Sequence, residues 1–424
     1  MIRRKWVAAT AAVAVTGAMA VVGGVSAGTA GARSGAVRGV TNNSITVAGL
    51  SQQTQFPGTD MQTGANAAFA PVNAKGGVFG RKIKMVESAD DGGTVSSDLS
   101  TVQRLVEQDQ VFAIVPVLDP YFDESGPYLK QQQVPFFGWG IDAAFCNNPY
   151  AFGFTGCIVP PPNVHTTGTT WGALVNAYFK AHGSPNGAKG KTAAVISEDN
   201  ATGKTGAVVI GSQVKKAGFK AVYVQSTLPA VPPGDYSPYV NAMLTSASGK
   251  APDAIFLTTS VPNTLKLAVA LPQAGYKGVL TNAVLYDPRA VSILKQNFAF
   301  TQFDVPDDTS NPAMQQIVAN IKAVGGPNVQ ITQGMLSAYF SADAFVKVLQ
   351  KTGKNLTPQA MAAAMKNFTY QIPTVVGPTV YPEAQTEGSP CGTLVGSDGT
   401  AFNISVKFSC YQDYNYQTGK NLKF

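Results

Sequence analysis

Short apolar runs alternate with amphipathic, helix-like segments along most of the chain. In the first part, the apolar runs predict strands and the segments between them predict helices. The predicted strands are 45–50, 82–89, 111–117 and 134–140, and the clearest helices are 58–73 and 95–108. Strands that alternate with helices indicate a parallel sheet covered on both faces, so we predict an α/β fold.

The same alternation starts again after a loop rich in Cys and Pro at 157–165. The predicted strands of this half are 192–197, 221–226, 254–259 and 278–282, with helices at about 166–181, 203–217, 236–247 and 262–274. Further helices are expected between 287 and 370, and the pattern at 401–409 is typical of a hairpin. Two similar halves favour two lobes, because a chain of 424 residues exceeds one ordinary core.

The N-terminus has the pattern of a secretory signal. A basic tip (Arg3, Arg4, Lys5) precedes an apolar stretch of small residues, and Ala-x-Ala-like sites end at Ala27 or Ala32. We therefore predict a signal peptide over 1–32 and exclude it from the fold. An uncleaved membrane anchor is the alternative, because the apolar stretch is about long enough to span a bilayer.

Composition limits the classes of partner. Charged residues make up 13% of the chain and apolar residues 45%, as in globular proteins. The formal net charge is +7, and beyond the N-terminal tip the basic residues form no cluster. Binding to a nucleic acid would require a basic stripe, so we expect no nucleic-acid partner.

The four cysteines favour disulfide bonds in an exported protein. Local pairing would join Cys146 to Cys157 and Cys391 to Cys410, although three pairings are possible from sequence alone. A metal site is disfavoured because the spacings are long and the chain has two histidines. We expect neither a metal nor a cofactor.

Catalytic motifs are missing. The sequence Gly203-Lys204-Thr205 resembles part of a phosphate-binding loop, but Glu198 stands where that loop needs its first glycine. A strand-to-helix turn with Asn200 or Thr202 as N-cap explains the segment better. No nucleophile elbow, zinc-binding helix or dinucleotide fingerprint is present. We therefore predict a protein that is not an enzyme.

One stretch carries a specific resemblance. In VNAKGGVFGRKIKMVESADD (72–91), a helix ends at a Gly-Gly turn, and a strand follows that closes with two aspartates. Its order and spacing resemble the leucine/isoleucine/valine-binding protein family, the type I periplasmic binding proteins that serve as extracytoplasmic receptors of ABC importers. Similar stretches are TGANAAFAPVNAKGG, VQRLVEQDQVFAIV, PGDYSPYVNAM and PDAIFLTT, so the resemblance covers residues 44–380. SEDNATGKTG falls where the family has a loop at the cleft edge of the second lobe.

The resemblance implies two Rossmann-like lobes joined by three hinge crossings, here near 158–165, 283–288 and 372–378. Lobe 1 would comprise 44–160 and 287–374, and lobe 2 would comprise 161–286 and 375–424. A small-molecule ligand would bind between the lobes, at loops after the carboxyl ends of strands, and hinge closure would enclose it. The other implied partner is a membrane ABC permease, and the implied location is exported, periplasmic or extracellular.

The chain departs from the amino-acid receptors of this family. They hold a ligand carboxylate with Ser/Thr hydroxyls and backbone N–H groups of the first lobe, and the ammonium with an acid of the second. Here the corresponding loops read LDPYFD (118–123) and GWGID (138–142), and Ala283 or Val284 replaces the acid. An α-amino acid would leave buried charges unpaired, which costs several kcal/mol.

Aromatic residues enter the predicted cleft loops instead, among them Phe122. An aromatic cleft with few polar groups suits an apolar, aromatic or amphipathic solute. The predicted ligand-binding residues are Phe56, Asp119, Tyr121, Trp139, Gly140, Asp142, Thr259, Ser260, Asn282 and Tyr286. Alternatives are a branched-chain amino acid receptor with non-standard contacts, a sensor that presents its ligand to a membrane receptor, and, least favoured, a secreted enzyme.

Overall fold

The first half of the chain builds a parallel five-stranded sheet. We describe a computed structural model over residues 36–54, 58–161 and 163–422; the predicted signal peptide and Phe56 lie outside these residues. The strands are β1 (Ser44–Ser51), β2 (Lys82–Asp90), β3 (Ala113–Leu118), β4 (Phe136–Gly138) and β5 (Ala151–Gly153), in the order β2-β1-β3-β4-β5. The helices between them are α1 (Met61–Ala74), α2 (Val95–Glu107) and α3 (Ser125–Gln132).

The second half begins with a short strand, β6 (Thr166–Gly168), and helix α4 (Thr170–Ala181). Its parallel strands are β7 (Thr192–Glu198), β8 (Lys220–Leu228), β9 (Ala254–Thr258), β10 (Val279–Asn282) and β11 (Asn297–Thr301). The helices between them are α5 (Ala201–Lys216), α6 (Ser237–Leu244) and α7 (Val261–Gln273).

The remaining elements complete both halves. They are α8 (Pro312–Gly325), α9 (Gln333–Thr352), α10 (Pro358–Met365), and strands β12 (Phe368–Ile372), β13 (Val376–Tyr381), β14 (Cys391–Ser397), β15 (Phe402–Cys410) and β16 (Asp413–Asn415). Helices α8 and α9 pack on α1, whereas β14 and β15 extend the second sheet antiparallel, in the order β15-β14-β11-β10-β9-β7-β8. β12 pairs with β13, and β16 pairs with β6.

Alternation along the buried strands explains why each sheet is covered on both faces. On β1, Ile45 and Val47 pack with α1 and α9, while Leu50 packs with α2 on the other face. Successive side chains of a strand point to opposite faces, so a fully apolar strand must be sandwiched between helices. The predicted α/β fold with parallel-rich sheets flanked by helices is thereby confirmed. Phe122 belongs to this core, since it is fully buried against Phe136 and Phe145 rather than facing the cleft.

The chain passes between the sheets at 154–165, 302–311 and 382–390. The first passage overlaps the predicted crossing at 158–165, while the other two come later than 283–288 and 372–378. The second passage comes later because β11 pairs with β10 and β14, which keeps residues 297–301 in the second sheet although the predicted boundary put them in lobe 1. The lobe boundaries themselves stay a prediction.

Two disulfide bonds join the locally spaced cysteines. Cys146 is bonded to Cys157, and Cys391 is bonded to Cys410, which lies directly opposite it in the β14–β15 ladder. Both predicted local pairings are present. Among the described helices, none is both long and apolar enough to cross a membrane.

Candidate functional site

A cavity of about 530 Å³ lies where the carboxyl ends of the two sets of parallel strands face each other. Loops after β1, β3 and β4 line one side, and loops after β7, β9, β10 and β11 line the other. This is the position at which open α/β sheets bind ligands, since the loops at that edge are free of the crossing helices. The volume falls in the range of small-molecule sites.

Aromatic side chains from both sides form part of the wall. Trp171, at the start of α4, stacks on Phe300 with ring centroids 5.2 Å apart and an interplanar angle of 13°. Its indole nitrogen donates to Thr281 Oγ1 at 3.0 Å. Trp139 is 5% exposed, and its indole nitrogen donates to Gln302 Oε1 at 2.7 Å. Both indole N–H groups are thus satisfied within the protein, and the rings contribute apolar surface to the cavity.

Aliphatic residues fill much of the remaining wall. They include Leu118, Ile141, Ile158, Val209, Ile210 and Leu257. Apolar walls with a few polar groups are typical of cavities that bind small organic solutes, because burial of apolar surface supplies most of the affinity.

Two carboxylates line the cavity, Asp123 and Glu198, and no Lys, Arg or His of the described residues does. Glu198 ends β7 and is 8% exposed. Its Oε1 accepts hydrogen bonds from the backbone N of Ser260 at 2.8 Å and from Asn263 Nδ2 at 2.7 Å. Asn200 Nδ2 lies 3.5 Å from Oε2. A carboxylate therefore stands fixed in the wall at the start of α7.

Four of the predicted ligand-binding residues line the cavity: Tyr121, Trp139, Thr259 and Ser260. Tyr121 follows β3 and is half-buried. The Thr259 hydroxyl lies 2.7 Å from that of Thr264, a pair that holds the turn into α7. The structure thus brings the predicted residues after β3, β4 and β9 together around one space.

Three predicted polar residues do not line the cavity, because they close turns in their own loops. Asp119, Asp142 and Asn282 each accept a hydrogen bond from the backbone N two residues later, at 2.6, 2.7 and 3.2 Å. All three are fully buried. Short Asp and Asn side chains commonly satisfy the backbone in this way at strand ends.

Gly140 and Tyr286 also do not line the cavity. A Cβ at position 140 would stand 2.1 Å from the Gly156 carbonyl oxygen, so this glycine permits a close backbone approach. Tyr286 is 2% exposed; its hydroxyl donates to Asp307 and its ring lies 4.9 Å from that of Phe402. Tyr286 therefore packs in the core.

Sequence reasoning missed four wall residues that matter for chemistry: Trp171, Glu198, Phe300 and Gln302. Glu198 carried a signal, since it stands at the end of an apolar strand and within the stretch SEDNATGKTG that the resemblance placed at the cleft edge, but it was not among the predicted ligand-binding residues. Phe300 and Gln302 belong to or follow β11, a strand that was not predicted.

Buried carboxylates cluster behind the first-sheet side of the cavity. Burial, together with the Asp119 carboxylate, raises the pKa of Asp91 to about 7. Burial also raises the pKa of Asp98 to about 6 and that of Asp142 to about 7. Ser125 donates a hydrogen bond to Asp98 from the start of α3. These groups hold protons in the folded protein at a pH where an exposed aspartate is ionised.

The unfolding free energy should consequently fall as the pH rises through the range in which these buried aspartates lose their protons. For Asp142, the folded pKa of about 7 exceeds the unfolded value of about 3.9, so its contribution is full below pH 4 and is lost by about pH 7. We expect Asp142→Asn to weaken the decline in unfolding free energy between pH 5 and pH 8 by about 2 kcal/mol. Denaturant unfolding at several pH values measures this slope. The exposed Asp199→Asn is the control, and equal slopes for wild type and Asp142→Asn would contradict the expectation.

Comparisons with known proteins agree with this arrangement. A family model described as periplasmic binding protein matches residues 44–400. No curated protein sequence is significantly similar to the chain. Solved structures, in contrast, superpose over most of its length.

Three of these structures have low sequence identity. A solute-binding protein of an ABC transporter from R. palustris, in complex with 4-hydroxybenzoate, is 18% identical, covers 87% of this chain and 98% of its own, and has a TM-score of 0.67. The substrate-binding protein of a fatty acid ABC transporter from Thermomonospora curvata is 17% identical, with 88% and 94% coverage and a TM-score of 0.68. The branched-chain amino acid transporter substrate-binding protein from Streptococcus pneumoniae, in complex with isoleucine, is 16% identical, with 86% and 100% coverage and a TM-score of 0.62.

Proposed function

Because the chain belongs to the periplasmic binding protein family and is structurally similar to solute-binding proteins of ABC transporters, we propose that it is a non-enzymatic receptor. In this role it captures a small solute in the cavity and delivers it to an ABC permease in the membrane. Such a receptor works outside the cytoplasm, so we propose that the protein is exported, with residues 1–32 as its signal peptide. The observation that carries the proposal is the cavity between the facing strand ends.

The wall chemistry supports an apolar, aromatic or amphipathic solute rather than an α-amino acid. On the first-sheet side, no described Ser or Thr side chain lines the cavity. The backbone donors there are engaged: the N of Trp139 donates to the Val117 oxygen, and that of Ile141 to the Trp139 oxygen. The N of Tyr121 donates to Asp119, and Pro120 has no N–H. A ligand carboxylate would find few donors on this side.

A branched-chain amino acid remains the second candidate because of Glu198. This carboxylate lines the second-sheet side, where it can accept hydrogen bonds from a ligand ammonium. The sequence argument expected no acid to serve the ammonium, and Glu198 reaches the cavity from β7 rather than from the loop after β10. Such a ligand would use contacts that differ from those of the resembled receptors.

A thermal-shift screen of the mature protein, from about residue 33, tests the receptor function. The panel holds the twenty amino acids beside aromatic acids, steroids, short fatty acids and amides. A ligand at a hundred times its dissociation constant adds about 2.7 kcal/mol to the unfolding free energy, which a melting curve resolves. We expect shifts with apolar or aromatic solutes. A shift confined to leucine, isoleucine or valine would support the second candidate and contradict the first.

A further inference from the structure

The Glu198 carboxylate lies in the cavity wall at the N-terminus of α7. Helix N-termini carry a partial positive charge and unsatisfied N–H groups, which attract anions. At the N-terminus of α7, a helix of 13 residues, the backbone N of Ser260 already donates to Glu198 Oε1 at 2.8 Å. A carboxyl group of the chain itself thereby lies at this helix N-terminus.

The neighbouring helix start is satisfied in the same way. Asn200 caps α5, and its Oδ1 accepts a hydrogen bond from the N of Gly203 at 2.6 Å. The nearby Lys204 pairs with Asp199 Oδ1 at 2.8 Å and does not line the cavity. No cation of the described wall therefore offsets Glu198, and a second carboxylate beside it would be repelled.

From these contacts we propose that the cavity selects solutes that lack a carboxylate and present a hydroxyl, amide or ammonium donor to Glu198. This inference rests on the proposed receptor function. The proposed ligand selectivity differs from that of two structurally similar proteins, because their ligands, 4-hydroxybenzoate and isoleucine, both carry a carboxylate.

Hydrogen bonds hold the Glu198 carboxylate in one position. Asn263 Nδ2, which donates to Oε1, also donates to the Pro229 oxygen at 2.9 Å, and Asn263 Oδ1 accepts from Tyr236 at 2.6 Å. This network fixes the carboxylate, while Oε2 has the long contact to Asn200 at 3.5 Å. The two oxygens of a carboxylate can accept several hydrogen bonds, so a ligand donor can be added without breaking the network.

The test uses solutes that share one apolar body and differ in one group. For naphthalene, the set is 2-naphthoate, 2-naphthalenemethanol, 2-naphthamide and 2-naphthylmethylamine, and the dissociation constants are measured by calorimetry on the mature protein. We expect the alcohol, amide or amine to bind at least tenfold more tightly than the naphthoate. In Glu198→Gln, which keeps the size and the acceptor oxygen, that preference should shrink at least tenfold, with the amine losing most.

Asp199→Asn is the matched control, because this adjacent carboxylate does not line the cavity and should leave the preference unchanged. Tightest binding of 2-naphthoate to the wild type would overturn the inference and leave the receptor function standing. An unchanged preference in Glu198→Gln would overturn it as well. If Glu198→Gln fails to fold, the wild-type ranking decides alone. Absence of binding by every solute of this set and of the broad screen would count against the receptor function itself.

Discussion

Replacing Trp139 with alanine should abolish most of the ligand-induced stabilisation of the protein. Trp139 presents its ring to the cavity from the loop after β4, and its indole nitrogen reaches Gln302 beyond β11 at 2.7 Å. Large aromatic side chains in buried pockets commonly dominate binding, and their truncation costs 2 kcal/mol or more. We expect the dissociation constant for a cavity ligand to rise about thirtyfold or more.

The substitution also affects folding, so binding must be separated from stability. Trp139 packs near Phe154 and Phe303, and the loss of this buried ring should destabilise the ligand-free protein by about 3 kcal/mol. The measurement is therefore the ligand-induced shift for each variant relative to its own ligand-free melting temperature. Trp139→Phe should retain part of the shift, because it keeps an aromatic ring.

Phe345→Leu provides the control for a destabilised core. Phe345 is fully buried between Phe69 and Phe137 and does not line the cavity. It should lower the ligand-free melting temperature but keep the ligand-induced shift. A full shift in Trp139→Ala would show that the solute binds elsewhere than in this cavity.

Most of the fold could be predicted from the sequence because the parallel strands are continuous apolar runs. The run at 45–50 lies within β1, and that at 254–259 covers β9. The three-residue strands β5 and β6 were missed, whereas β4, of the same length, lies within the longer apolar run predicted at 134–140. β11 was missed because the segment from 287 onward was predicted to be helical, and the pairing of β11 places the second passage between the sheets after residue 301.

The candidate site was harder to predict because a strand end presents both inward and outward residues. The sequence placed Asp119 and Trp139 in cleft loops with equal reason. Whether a polar side chain there faces a ligand or closes its own turn depends on backbone dihedral angles, which the sequence pattern does not contain. Glu198 lines the cavity although it was not predicted to, because its place there depends on the meeting of β7 and α7 at Ser260, which no local sequence pattern shows.

A second large effect, on stability, is expected where α1 packs on α9 beside the first sheet. Gly64 lies in α1 where this helix packs on α9, and a Cβ there would stand 2.0 Å from the Met335 carbonyl oxygen. Backbone atoms of a buried helix cannot move aside as a flexible side chain does. Gly64→Ala must therefore separate α1 from α9, and we expect it to lower the unfolding free energy by about 3 kcal/mol.

The same substitution in α5 gives the matched control for this expectation. A Cβ at Gly206 would lie 3.6 Å from Thr258 Oγ1, which is ordinary van der Waals contact, and alanine favours the helix over glycine by about 1 kcal/mol. Gly206→Ala should accordingly leave stability unchanged or raise it, so the two variants should differ by about 3 to 4 kcal/mol in denaturant unfolding. Equal stabilities would mean that α1 and α9 can separate at little cost in free energy. The close packing of these two helices would then contribute little to the stability of the first half of the chain.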